Sequence, residues 1–191
     1  MECQLALKEW NVVCEAIRQG RQMVLARKGG ISEPEGEFQL PRTRFWLFPT
    51  YFHEAPARLN DAGRAIISQM PLLTAAPASE EVRLDLICEV AVAIYIESVE
   101  KLSAALAEQV LNREALEQRF YYRHPGLHLL IIRAYEAAEP ALLRPTTTMQ
   151  GCKSWVELDE PLPAVRKLAV IPDGEFERRK KILLSALDER T

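Results

Sequence analysis

From Leu84 to Ile96 the chain alternates without a break. Leu84, Leu86, Cys88, Val90, Val92, Ile94 and Ile96 take seven successive even positions, and every one is apolar. The odd positions include Asp85, Glu89 and Tyr95, with Glu97 just beyond. Side chains of a strand point to opposite faces in turn, so this spacing predicts a strand with one buried face. A helix over the same residues would bury Asp85 or Glu89. At about 3.3 Å per residue such a strand runs on the order of 40 Å, so a bulge or bend is expected within it. Leu127 to Tyr135 is apolar on both faces and predicts a second strand, central in a sheet. An all-helical fold is excluded.

The other elements follow from local signals. Leu7, Trp10, Val13, Cys14 and Ile17 recur at three- and four-residue spacing, which predicts an amphipathic helix stopped by Gly20. Met23 to Ala26 reads as a short buried strand that delivers Arg27 and Lys28 to Gly29-Gly30, a pair suited to a sharp turn or a close ligand approach. Ser32 to Gly36 reads as a hairpin loop. Glu37 to Leu40 and Arg44 to Phe48 read as strands, the second halted by Pro49. Phe45 and Trp46 cannot both face outward from that strand, so at least one belongs in the core.

A helix is expected from about Asn60 to Met70, capped by Asn60 or Asp61. Pro71 to Ser79 reads as a loop. Helices are expected around Leu102 to Val110 and, after an Asn112 cap, through Phe120. Pro140 and Pro145 bracket irregular chain, and Cys152 to Leu158 reads as a short strand with Trp155 in the core. A last helix starts after Asp173, with Phe176, Leu183, Leu184 and Leu187 inward and Arg178 to Lys181 as a basic outer face. With 191 residues there is room for one well-packed core. The expected fold is a single α+β domain over residues 1–191. Its mixed or barrel-like sheet is flanked by an N-terminal helix, middle helices and a C-terminal helix.

A net charge of −3 argues against a generally basic coat for nucleic acid, while leaving room for a local patch. No run of 18 apolar residues occurs, so no transmembrane helix is expected. Met1-Glu2-Cys3-Gln4 lacks the pattern of a signal peptide. The four cysteines are scattered without paired spacing, which fits reduced thiols in a cytoplasm. The three histidines and the cysteines show no metal-ligand spacing, and no cofactor motif is present, so neither metal nor cofactor is expected.

Chemistry concentrates in a few segments. Between Arg18 and Lys28 there are four cations (Arg18, Arg21, Arg27, Lys28) and no carboxylate. This pattern fits either a helix end with a solvated turn or an anion site for phosphate. Thr50 to Glu54, including His53, follows a strand end, where loops often carry function. Gly151-Cys152-Lys153-Ser154 places a thiol beside a cation, and His53 could serve as its base. The candidate ligand-binding residues are therefore Arg27, Lys28, Gly29, Gly30, Thr50, His53 and Lys153. His53, Glu9 and Cys152 are the catalytic candidates. Arg42, Arg44, Trp46, Tyr51 and Phe52 add an aromatic and basic cluster suited to stacking on bases.

Ala6-Leu7-Lys8-Glu9-Trp10, Arg27-Lys28-Gly29-Gly30-Ile31, Leu47-Phe48-Pro49-Thr50 with His53, and Gly151 to Leu158 together resemble a bacterial family, the domain of unknown function numbered 1802. That resemblance implies no activity. A shorter one joins Ala16 to Arg27 to the RNA-binding barrel superfamily that includes the pseudouridine-synthase-type and coactivator-homology domains. It implies that Arg21, Arg27 and Lys28 contact phosphate and that Trp46 or Tyr51 contacts a base. The leading expectation is a protein that binds nucleic acid or a nucleotide-like anion at the basic Gly-Gly turn. The alternatives are a hydrolase with His53 as general base, and a partner-binding domain that uses the basic face of the last helix.

Overall fold

The computed structural model describes residues 2–28, 40–50, 55–70, 81–149 and 153–188. Seven strands form one mixed sheet among them: β1 (Glu2–Trp10), β2 (Val24–Arg27), β3 (Arg44–Thr50), β4 (Val82–Ile96), β5 (Leu127–Leu143), β6 (Trp155–Pro163) and β7 (Arg166–Ala169). Their order is β2-β5-β4-β3-β1-β6, with β7 paired to β5. β1 and β3 are parallel; all the other pairs are antiparallel. The helices are α1 (Asn11–Arg18), α2 (Asp61–Gln69), α3 (Leu102–Ala105), α4 (Arg113–Tyr121) and α5 (Asp173–Asp188). The α+β class and the mixed sheet are as the sequence predicts.

β4 and β5 form the spine. They pair from Val82↔Leu143 to Ile96↔Leu127, and the register shifts between Leu84 and Leu86 and again between Val90 and Val92. Those shifts are the bend that a strand of this length requires. Leu86, Cys88 and Ile96 are buried in one core as the alternation predicts, whereas Leu84, beyond the first shift, is buried with Ile87 in the other, so the strand is not buried on one face alone. Burial also pushes the Cys88 thiol far up, so it behaves as a core residue and not as a nucleophile.

Four expectations are corrected. The N-terminal helix does not include Leu7. Residues 2–10 form β1, and the helix starts only at Asn11. β1 lies between β3 and β6, so its backbone groups find ladder partners on both sides. Leu7 and Ala6 point to opposite faces and are both fully buried. Long-range pairing therefore decides these residues over the local period. Pro49 does not halt β3, which continues to Thr50; Pro49 sits opposite Glu9 in the parallel ladder near the strand's end. Pro140 does not end β5, whose residues 141–143 pair with β4. Finally, Arg178 to Lys181 is not wholly an outer face. Arg179 turns inward to the Gly20 carbonyl (2.7 Å) and to Glu108, and Lys180 pairs with Glu177.

The two faces of the sheet carry two cores. The larger joins α1, β2 and the middle of β5 to residues of α2 to α5. The smaller gathers Cys3, Ala6, Trp46, Phe48, Leu84, Ile87, Val156 and Leu158. The helix starts carry their expected caps: Asn60 accepts from the Gly63 amide and Asn112 from the Ala115 amide, each 2.9 Å. Such caps contribute about 1 kcal/mol each.

Gly63 in α2 shows packing overruling propensity. A methyl group there would gain about 1 kcal/mol of helix propensity. It would also lie 2.8 Å from the Val110 carbonyl oxygen and 3.0 Å from Leu59 Cβ. Backbone cannot give way as a flexible side chain can, so Gly63→Ala is expected to destabilise by about 1–3 kcal/mol. A lowered urea midpoint with unchanged slope would register this; a raised midpoint would mean that α2 can shift away from Val110.

Candidate anion-binding site

The sheet curls until β2, at one end of the strand order, faces β1 near the other. Among the described residues no backbone ladder joins them, and a side chain closes the gap. Arg27, the last residue of β2, donates to the Lys8 carbonyl (3.2 Å) and to Glu9 Oε2 (2.9 Å). Glu9 is almost fully buried, an unusual place for a carboxylate without a partner. Its Oε1 accepts from the Trp10 amide at 3.0 Å, where the chain turns from β1 into α1. A negative charge there also suits the start of a helix.

A second arginine converges on the same carboxylate from α4. Arg119 donates to the Ala26 carbonyl at 2.9 Å, lies 3.8 Å from Glu9 Oε1 and rests over the Trp10 ring at 5.4 Å. Burial holds the Arg119 pKa below its usual value. Glu9 opposes that shift, and the neighbouring charges of Arg27 and Arg58 add to it. Among the described residues, two guanidiniums thus converge on one carboxylate, with the charge of Arg58 felt at Arg119. A guanidinium cannot relieve such crowding by losing its proton.

The described sequence candidates gather at this end of the sheet. Thr50 donates from its hydroxyl to the Glu9 carbonyl at 3.0 Å. Lys28 reaches the carbonyls of His124 (2.7 Å) and Gly126, and its Nζ is 3.3 Å from His124 Nδ1. Lys153 is exposed, one residue before Ser154, whose carbonyl accepts from the Lys8 amide at 2.8 Å. Glu9, proposed as a catalytic partner, has its carboxylate engaged by Arg27 and the Trp10 amide and serves as the anchor of the arginines. Gly29, Gly30, His53 and Cys152 lie outside the described residues, as do Tyr51 and Phe52. Arg18 is drawn away, paired with Glu15 and Asp85. Arg44 is drawn away to Glu89, and Trp46 is fully buried.

Sequence reasoning missed Arg119 and Arg58. They lie far from Arg27 along the chain, and no local pattern marks either one. Only the curl of the sheet and the docking of α4 on β2 bring them together. Trp10, expected on the apolar face of a helix, packs partly buried against the larger core, and its ring also carries Arg119.

The fold and this site define an α+β protein whose curled mixed sheet is bridged by arginines at one end. The model of the family described as Domain of unknown function (DUF1802) matches residues 6–182, and the chain belongs to that family. No curated protein matches the sequence. Among solved structures, the ASCH protein of Zymomonas mobilis is similar at 13% identity and a TM-score of 0.47, over 95% of this chain and 93% of that one. A serine-to-alanine mutant of the same protein matches at 14% identity and a TM-score of 0.47, over 84% and 92% of the two chains. No helix among the described residues is long and apolar enough to cross a membrane.

Proposed function

We propose that this protein binds the phosphates of a nucleic acid at the end of the sheet where β1, β2 and α4 meet. One observation carries the reading: among the described residues, Arg27 and Arg119 converge on the carboxylate of Glu9, and the charge of the exposed Arg58 reaches Arg119. A phosphate oxygen would offset that excess charge and accept charge-assisted bonds from a planar donor set. Lys28 and Lys153, at the same end, extend the positive field along a backbone, and Thr50 lies beside them. The modest overall negative charge of the chain makes such binding local to this end.

The test is a fluorescence anisotropy titration of a labelled RNA of about twelve nucleotides, the length a small single-domain site can span. Arg58 is exposed, so Arg58→Ala removes a phosphate contact with little disturbance of packing. The variant is expected to bind about tenfold more weakly, the loss of one charge-assisted hydrogen bond. Equal affinity of wild type and variant would remove Arg58 from the interface. No binding by the wild type would end the proposal.

A further inference from the structure

Next to the arginines, the loop from α4 to β5 presents aromatic rings to solvent. Tyr121 is 56% exposed, Tyr122 44%, and Tyr95 of β4 45%. Large aromatic rings normally bury much of their area, so exposed ones around this loop stand out. One of them is held firmly as well as exposed. Tyr95 packs against the His128 ring (centroids 5.0 Å apart), and its hydroxyl lies 3.4 Å from the Pro125 carbonyl. Its ring also covers Gly126, where φ is +116° and an added Cβ would lie 2.6 Å from the ring carbon Cζ. Glycine therefore serves two needs there, the backbone angle and the room for the ring.

The same loop holds a backbone cost. Arg123 has φ of +65°, a left-handed conformation that a long side chain rarely adopts. Such strain persists where the surroundings impose it, and it clusters at ligand sites. The Arg123 guanidinium lies over the Tyr122 ring at 5.3 Å. Lys28, next to Arg27 in the chain, ties the loop to the phosphate end through the His124 and Gly126 carbonyls. Tyr122 is the C-cap of α4, three residues after Arg119. A cationic end and a preorganised aromatic surface thus adjoin.

We infer that Tyr95 and Tyr122 form a stacking platform for unpaired bases, so that the ligand is a single-stranded nucleic acid and not a duplex. The inference rests on the proposed phosphate site: the arginines hold the backbone, and the tyrosines take bases that a duplex would keep inside its own stack. Sequence tolerance follows, because every base has a π-face.

The test compares labelled oligomers of about twelve nucleotides in four forms: single-stranded RNA, single-stranded DNA, RNA duplex, and an abasic strand with the same backbone. Wild type is expected to bind single strands about tenfold or more tightly than either duplex or abasic strand. Tyr95→Ala and Tyr122→Ala should each weaken single-strand binding about tenfold and leave abasic binding unchanged. Tyr95→Phe, which keeps the ring, should bind as wild type does. The RNA and DNA arms show which sugar the strand carries. If duplex and abasic strands bind as well as single strands and the tyrosine variants change nothing, the platform is overturned while the phosphate site stands. If no oligomer binds, both readings fall.

Discussion

Glu9→Ala is expected to lower the free energy of unfolding by about 3–5 kcal/mol, the usual cost of removing one partner from a buried ion pair. Glu9 is 4% exposed, and Arg27, its partner at 2.9 Å, has a side chain only 11% exposed. Removing the carboxylate leaves Arg27 and Arg119 facing each other across a low-dielectric gap. It also strips the Trp10 amide of its acceptor where the chain enters α1. Neither arginine can neutralise itself. Glu9→Gln restores an acceptor for that amide but not the charge, so it should recover only part of the loss. Urea unfolding of the three proteins measures this, and the two variants should rank as stated. Equal stability of wild type and Glu9→Ala would mean that solvent reaches the arginines and that the charge excess is screened.

The second large effect lies on β3. Phe45→Ala and Trp46→Ala are each expected to cost about 3–5 kcal/mol, because each opens a cavity in a different core. Phe45 is fully buried in the larger core, edge-on to Trp155 with ring centroids 5.2 Å apart. Trp46 is fully buried in the smaller core with Ala6, Ile87 and Val156. The two tryptophan substitutions should differ sharply. Among the described residues, Trp46 Nε1 has no hydrogen-bond partner in its buried place. Trp46→Phe loses apolar area but also removes an unsatisfied donor, so it should cost far less than Trp46→Ala. Thermal or urea unfolding of the three variants checks the order. If Trp46→Phe is as damaging as Trp46→Ala, an ordered water satisfies the indole nitrogen and the smaller core is wetter than its residues imply.

The same pair shows what the sequence can and cannot reveal. Alternation along β3 requires that Phe45 and Trp46 face opposite ways, and a reading confined to one core leaves one of them outside. Both are buried because a second core, drawing on β1, β3, β4, β5 and β6, takes Trp46 while the larger core takes Phe45. The clearest elements were those whose signals are local: the period-two run of β4, the Asn60 and Asn112 caps, and the inward Phe176, Leu183 and Leu187 of α5. β1 was misread because Leu7 stands in helical register with the residues of α1. Both elements face the larger core across the sharp turn at Trp10, and a period cannot register such a turn. The site was half legible for the same reason. Arg27 and Thr50 sit at strand ends that the sequence marks, whereas Arg119 enters from a helix more than ninety residues away from Ala26, whose carbonyl it bonds.

Phosphate binding by the arginines at the end of β1 and β2, as proposed, requires an affinity that responds to salt. The most direct measurement is the dissociation constant for single-stranded RNA between about 50 and about 200 mM salt, for wild type and Arg58→Ala. Wild-type affinity is expected to fall linearly on logarithmic axes, and Arg58→Ala to flatten the slope by about one contact. A wild-type affinity that does not change with salt, or a slope the same in both proteins, would contradict phosphate binding there.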